Sequence, residues 1–143
     1  MAIQMEQVGR DFYVALASGS DNPKVRELCA MLARAEDAHL AVFQNLRKKW
    51  AKTSTPAAPV AEGRAYELAK LVKSHVQPDT QAVTKVAMGG NLTDGLNMAI
   101  QMEKDSISFY QGLIANLPDS APAIQTIVDQ ERKHLVALRS MLN

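Results

Sequence analysis

Two tetrapeptides, Glu36-Asp37-Ala38-His39 and Glu131-Arg132-Lys133-His134, limit the fold more than anything else in the chain, because each lies inside a helix-like pattern free of breakers. Residues three apart on a helix stand on one face, so the Glu and His of each pair point the same way. That face is apolar. Leu32, Ala33, Leu40 and Phe43 share it with the first pair, and Ile127, Val128, Leu135 and Leu138 share it with the second. Such stripes are how amphipathic helices bury themselves, and an ionised carboxylate on one costs several kcal/mol unless a partner compensates it. Each pair therefore demands a partner, and each has the spacing to grip a cation.

The N-terminal segment supplies half of what is needed. Ile3-Gln4-Met5-Glu6, followed by Phe12-Tyr13, returns almost letter for letter as Ile100-Gln101-Met102-Glu103, followed by Phe109-Tyr110. The repeated Glu is again set among apolar residues at helical spacing, with Ala99, Ile100, Ile107 and Tyr110 around Glu103. The separation between the two copies nearly equals that between the two Glu-x-x-His pairs, so the halves of the chain keep register. Two related helix pairs are expected, each with one lone Glu and one Glu-x-x-His, converging four carboxylates and two imidazoles on one place.

One Glu from each of two helices plus Glu-x-x-His from each of two others is the ligand plan of ferritin-like dinuclear carboxylate bundles. With Met-Glu followed two turns on by Phe-Tyr, the chain resembles the rubrerythrin branch of that superfamily over four helices, roughly two-thirds of its length by the periodic spans. The resemblance implies an all-α, ferritin-like four-helix bundle: two antiparallel helix pairs joined by a long crossover that contains a short extra helix. It also implies metal ligation by Glu6, Glu36, His39, Glu103, Glu131 and His134, with Glu36 and Glu131 bridging and Glu6 and Glu103 each holding one metal from the side.

Charge counting sets the number of ions. Four buried carboxylates are neutralised by two divalent cations, whereas a single ion would strand two charges that would then protonate. Oxygen and imidazole donors suit two iron ions, with manganese or zinc as alternatives, and nothing here resembles a thiolate site. The resemblance then implies a non-haem di-iron oxidoreductase acting on hydrogen peroxide or dioxygen. Tyr13 and Tyr110, two turns beyond Glu6 and Glu103, are candidate catalytic residues that bond the carboxylates or relay an electron. Equally, they are core tyrosines whose hydroxyls need an acceptor.

Two departures from the rubrerythrin pattern matter. Relatives with peroxide chemistry carry a further Glu one turn after the third-helix ligand, where this chain has Ser106. They also end in a small iron domain held by paired Cys-x-x-Cys, and this chain has one cysteine. Electrons would come from a separate donor protein. The alternatives are a ferroxidase or iron-storage protein of the same class, and a non-catalytic bundle whose Glu and His residues merely bond one another.

A length of 143 residues fits one domain, 1–143, able to bury a core without staples. No apolar run approaches membrane-spanning length, and no leader pattern precedes the first helix, so a cytoplasmic protein with no membrane partner is expected. A lone Cys29 fits a reducing compartment, and a net charge of +1 gives no reason to expect nucleic acid. A homodimer is expected from the class.

Along the chain, the spacing predicts helices over about 2–17, then from Asn22-Pro23 to about Lys49, a crossover helix over about 61–76, and a weakly periodic piece within 79–92. A third bundle helix, capped by Thr93-Asp94, runs to about Asn116, and a last one from Ala121 or Pro122 to the end. Thr53 to Pro59 is expected as a loop, and Gln77-Pro78-Asp79 as a helix end. Arg47-Lys48-Lys49-Trp50-Ala51-Lys52 suits a helix C-terminus, with Trp50 covering the bundle end; the sharper reading is a docking patch for an acidic redox partner. His75, with no acidic or Cys neighbour on its face, is expected at the surface and not as a ligand.

Overall fold

The computed structural model describes residues 1–53, 62–75 and 79–143. Six α-helices account for nearly all of these: α1 (Ala2–Gly19), α2 (Pro23–Thr53), α3 (Glu62–Ser74), α4 (Thr80–Met88), α5 (Leu92–Asn116) and α6 (Ala121–Met141), with one 3-10 turn at Pro118–Ser120. The chain is thus all-α, a ferritin-like bundle in which α1 packs chiefly on α2 and α5 on α6. None of these helices is long and apolar enough to cross a membrane.

Short linkers enforce the hairpins. Ser20 turns extended after α1, and the Asn22 side-chain Oδ1 then accepts from the Lys24 amide at 3.0 Å, capping α2 with Pro23 in its first turn. The second hairpin turns on Pro118–Ser120, whose Ser120 Oγ accepts from the Trp50 indole at 3.3 Å. Trp50 therefore does close the end of the bundle, as its position after the basic run suggested.

Several boundaries move. α2 continues to Thr53 rather than stopping near Lys49, because Trp50 to Thr53 contain no breaker. The weakly periodic piece is a true helix, α4, capped by Asp79 and burying Val83 and Ala87. α5 starts earlier than Thr93-Asp94: Asn91 is the cap, its side chain accepting from the Asp94 amide at 3.1 Å, and Gly90 at φ 76 supplies the left-handed bend before it. Residues 54–61 and 76–78, on which part of the expected loop, the start of the crossover helix and its expected end fall, lie outside the described residues.

His75 is half-buried rather than on the surface. Its ring stands edge-on to Phe109 at 5.2 Å and its Nδ1 bonds the Leu71 carbonyl at 3.0 Å, so it is held by α3 and α5, away from the acidic cluster. α3 comes close enough to α5 that a side chain on Gly112 would meet Leu71 Cδ1 at 2.5 Å.

The interior divides into two apolar halves. One contains Phe12, Leu16, Leu32, Leu96 and Leu138 and is covered by α4; the other contains Met5, Phe43, Phe109, Ile124 and Val128 and is flanked by Leu68 and Leu71 of α3. In every bundle helix the passage from one half to the other crosses a Glu: Glu6 in α1, Glu36 in α2, Glu103 in α5 and Glu131 in α6. The order of crossing sets α1 against α2 and α5 against α6, and it makes α2 and α5 run the same way. The segment between α2 and α5 must therefore travel the length of the bundle, about 30–45 Å at helical rise for helices of this size. Packing within each half should carry most of the stability. Leu96, only 1% exposed, is expected to cost about 2–5 kcal/mol when replaced by Ala, read as a lowered midpoint in urea denaturation with unchanged slope.

Candidate metal centre

Between the two apolar halves lies a polar layer. Glu6, Glu36, His39, Glu103, Glu131 and His134 are all buried, from 1% to 8% exposed. The layer exists because each residue sits on the inward stripe of its helix, where turning away would take the neighbouring Leu, Ile and Phe side chains out of the core. The six side chains expected as ligands are thus brought together, and the two imidazoles face each other with ring centroids 5.8 Å apart.

The six side chains form two overlapping groups. Glu6, Glu36, His39 and Glu131 each turn one donor atom into a space where these atoms lie within 4.8 Å of one another, and Glu36, Glu103, Glu131 and His134 do the same. Glu36 and Glu131 belong to both. His39 Nδ1 stands 3.4 Å from Glu6 Oε2 and 3.3 Å from Glu131 Oε1. His134 Nδ1 stands 2.8 Å from Glu131 Oε2 and 3.7 Å from Glu103 Oε1. The second group is more open, since the His134 side chain is 10% exposed against 2% for His39.

This arrangement is not satisfied by the protein alone. Glu6 Oε2 and His39 Nδ1 are buried with no hydrogen-bond partner among the described residues, although each points at the shared space. Orphaned donors and acceptors are rare in protein interiors, and a carboxylate oxygen and an imidazole nitrogen are both good ligands for a borderline divalent cation. The residues present fit a dinuclear metal site.

Electrostatics point the same way. Burial, with Glu6 alongside, pushes the Glu36 carboxyl well above its usual range. Burial and Glu131 lift Glu103 to about 8 against the opposing pull of His134. Burial opposes charging of the imidazoles, but Glu131 and Glu6 outweigh it and raise His39 to about 10, while Glu103 and Glu131 raise His134 to about 9. Glu131, also opposed by burial, is held well below the carboxylate range by His134 and His39. Without a metal, protons and imidazolium ions stand in for cations.

Tyr13 donates to Glu103 and Tyr110 donates to Glu6, so each phenol crosses from one helix pair to the carboxylate of the other. Burial and the nearby carboxylates raise both phenols far above their ordinary value, which keeps them protonated and donating. Their hydroxyls therefore hold and orient carboxylates. Two further residues were not singled out by the motifs. A side chain on Gly9 would bring Cβ to 3.1 Å from Glu36 Oε2, so its absence leaves room for that carboxylate. Gln130 places Oε1 2.6 Å from His39 Nε2. The only sequence signal for either is position, one turn after Glu6 and one residue before Glu131.

A cation entering this layer must displace the protons now on Glu36, Glu103, His39 and His134, so binding should tighten as pH rises toward 8–10 and weaken as it falls. Calorimetry at about pH 7 in buffers of differing ionisation enthalpy is expected to show net proton release for each divalent ion bound. Binding without release, or with affinity independent of pH between about 6 and 9, would contradict this protonation pattern.

Comparison with known proteins agrees with the site. The sequence profile of the Rubrerythrin family matches residues 1–142, almost the whole chain. No curated protein and no solved structure matches it. With the all-α bundle, the doubled Glu-x-x-His and a profile match over the full bundle, the chain belongs to the rubrerythrin family.

Proposed function

We propose that this chain is a single-domain, di-iron oxidoreductase that reduces hydrogen peroxide or dioxygen, with Glu6, Glu36, His39, Glu103, Glu131 and His134 as its metal ligands. The observation that carries the reading is the sharing of Glu36 and Glu131 between two donor groups, the arrangement expected of carboxylates that bridge two ions. Glu6 with His39, and Glu103 with His134, would then hold one ion each. When bound, two ferrous ions supply two electrons at one place, which is what reduction of peroxide requires: one peroxide, two electrons and two protons give two waters.

The protein's own residues set the conditions for that chemistry. The apolar halves on either side exclude bulk water, which strengthens every charge interaction in the layer. Tyr13 Oη and Tyr110 Oη keep their protons and fix the orientation of Glu103 and Glu6, so these carboxylates are presented to the metals in one geometry. The more open His134 side is where a small oxidant would reach the site. With one cysteine in the sequence, the chain has no Cys-x-x-Cys electron store, and the reading includes a separate electron-donor protein.

A second reading keeps the metals. Ser106 occupies the position at which peroxide-reducing relatives resemble one another in carrying an additional Glu, and this favours a ferroxidase that oxidises its own iron once per loading.

Protein purified without chelator and reconstituted anaerobically with ferrous iron is expected to hold two irons per chain, falling to one or none in Glu131→Gln, where a shared carboxylate is lost. Supplied with excess reductant and a small redox carrier, the loaded protein is expected to consume many equivalents of peroxide. Tyr110→Phe should keep both irons but slow turnover by about 10-fold, the usual scale for removing an outer hydrogen bond to a ligand. Consumption of a single equivalent would decide for the ferroxidase, and absence of bound metal with unchanged melting on adding iron would decide for a structural bundle.

A further inference from the structure

The internal repeat makes the two halves of the centre comparable residue by residue. Glu6 answers to Glu103, Tyr13 to Tyr110, Glu36 to Glu131 and His39 to His134, and the structure keeps all of these pairs in matching roles. The residue before each Glu-x-x-His breaks the match. In α6 it is Gln130, and in α2 it is Ala35.

Gln130 is mostly exposed, yet its side chain reaches across from α6 to α2 and its Oε1 lies 2.6 Å from His39 Nε2. An amide oxygen only accepts, so this contact keeps a proton on Nε2, and in the neutral ring that a cation requires it is Nδ1 that carries the lone pair. Nδ1 is the buried atom that lacks a hydrogen bond and faces Glu6 Oε2 at 3.4 Å and Glu131 Oε1 at 3.3 Å. On the other side, Ala35 has no polar atom to offer, and among the described residues Nε2 of His134 has no hydrogen bond. His134 is also the more exposed ring.

We propose that Gln130 is a positioning residue for His39, and that the contrast with Ala35 makes the two metal positions unequal, the His39 position filling first and binding more tightly. This rests on the two-metal reading above. A ligand already held in the right tautomer and orientation loses less freedom on binding than an untethered one, and removing such an outer partner commonly weakens metal affinity by about 10–100-fold.

The test is stepwise titration of the metal-free protein with cobalt(II), followed by its visible absorption, with zinc-loaded protein examined by nitrogen-15 imidazole NMR. Wild type is expected to show two binding events of different affinity; His39→Ala removes the tighter and His134→Ala the weaker. Gln130→Leu should weaken the tighter event by about 10-fold or more and leave the other within about twofold. In the zinc form the slowly exchanging Nε2–H resonance of His39 should vanish in Gln130→Leu. It should persist in Gln130→Glu, which keeps an acceptor in place. Ala35→Gln should tighten the weaker event, a gain that no general loss of structure produces. Two equal affinities in wild type, or an unchanged tighter event in a Gln130→Leu protein of normal helicity, overturns the proposal while the metal centre stands. If wild type binds no cobalt at all, the two-metal reading falls and this inference with it.

Discussion

Everything in this molecule accommodates the burial of four carboxylates at the middle of an apolar bundle. In a medium of low dielectric they repel one another and lack the water that would stabilise them, so they persist only with compensating positive charge. Without a cation, burial and mutual repulsion favour protons on Glu36 and Glu103 and charge on the two imidazoles, and Glu6 Oε2 and His39 Nδ1 face each other at 3.4 Å without a hydrogen bond. Two divalent cations would supply the compensating charge more completely. The layer is thus a cost to the fold that bound cations would relieve.

The two apolar halves matter because they hold that layer in place. Each bundle helix is anchored on both sides of its Glu by residues belonging to different halves, so no ligand helix can slide or rotate without exposing a Leu or Phe. The tyrosines add a polar version of the same brace. Each reaches from one hairpin to the carboxylate of the other, so the hairpins are joined through the site as well as through the core. Geometry at the centre is therefore fixed by packing some distance from it.

Symmetry in the backbone does not make the two donor groups alike. One imidazole is deeply buried and tethered by Gln130; its counterpart is partly open and faces a position where the chain has Ala35. Gly9 and Ser106, also matched by the repeat, differ as well, and Gly9 lies against Glu36. The repeat matches at the six side chains of the centre and at the two tyrosines, and differs at Gln130 and Ala35 and at Gly9 and Ser106.

The buried Glu and His layer was legible in the sequence because its signal is local: Glu and His three apart on an apolar stripe, and a lone Glu repeated with its Phe-Tyr, are contradictions that hydrophobic periodicity exposes without coordinates. The Asn22-Pro23 cap and the Pro118 turn were legible for the same reason, since caps and turns are read by a few adjacent residues. The cap at Asn91, the helical state of Thr80–Met88 and the half-buried ring of His75 were not, because each depends on what packs against it. Gln130 over His39 and Gly9 under Glu36 lay further still from view, as contacts between residues on different helices carry no periodic mark. The chain by itself determined which side chains must turn inward; only the packing of helix on helix decided which of them are shared, which is tethered and which side stands open.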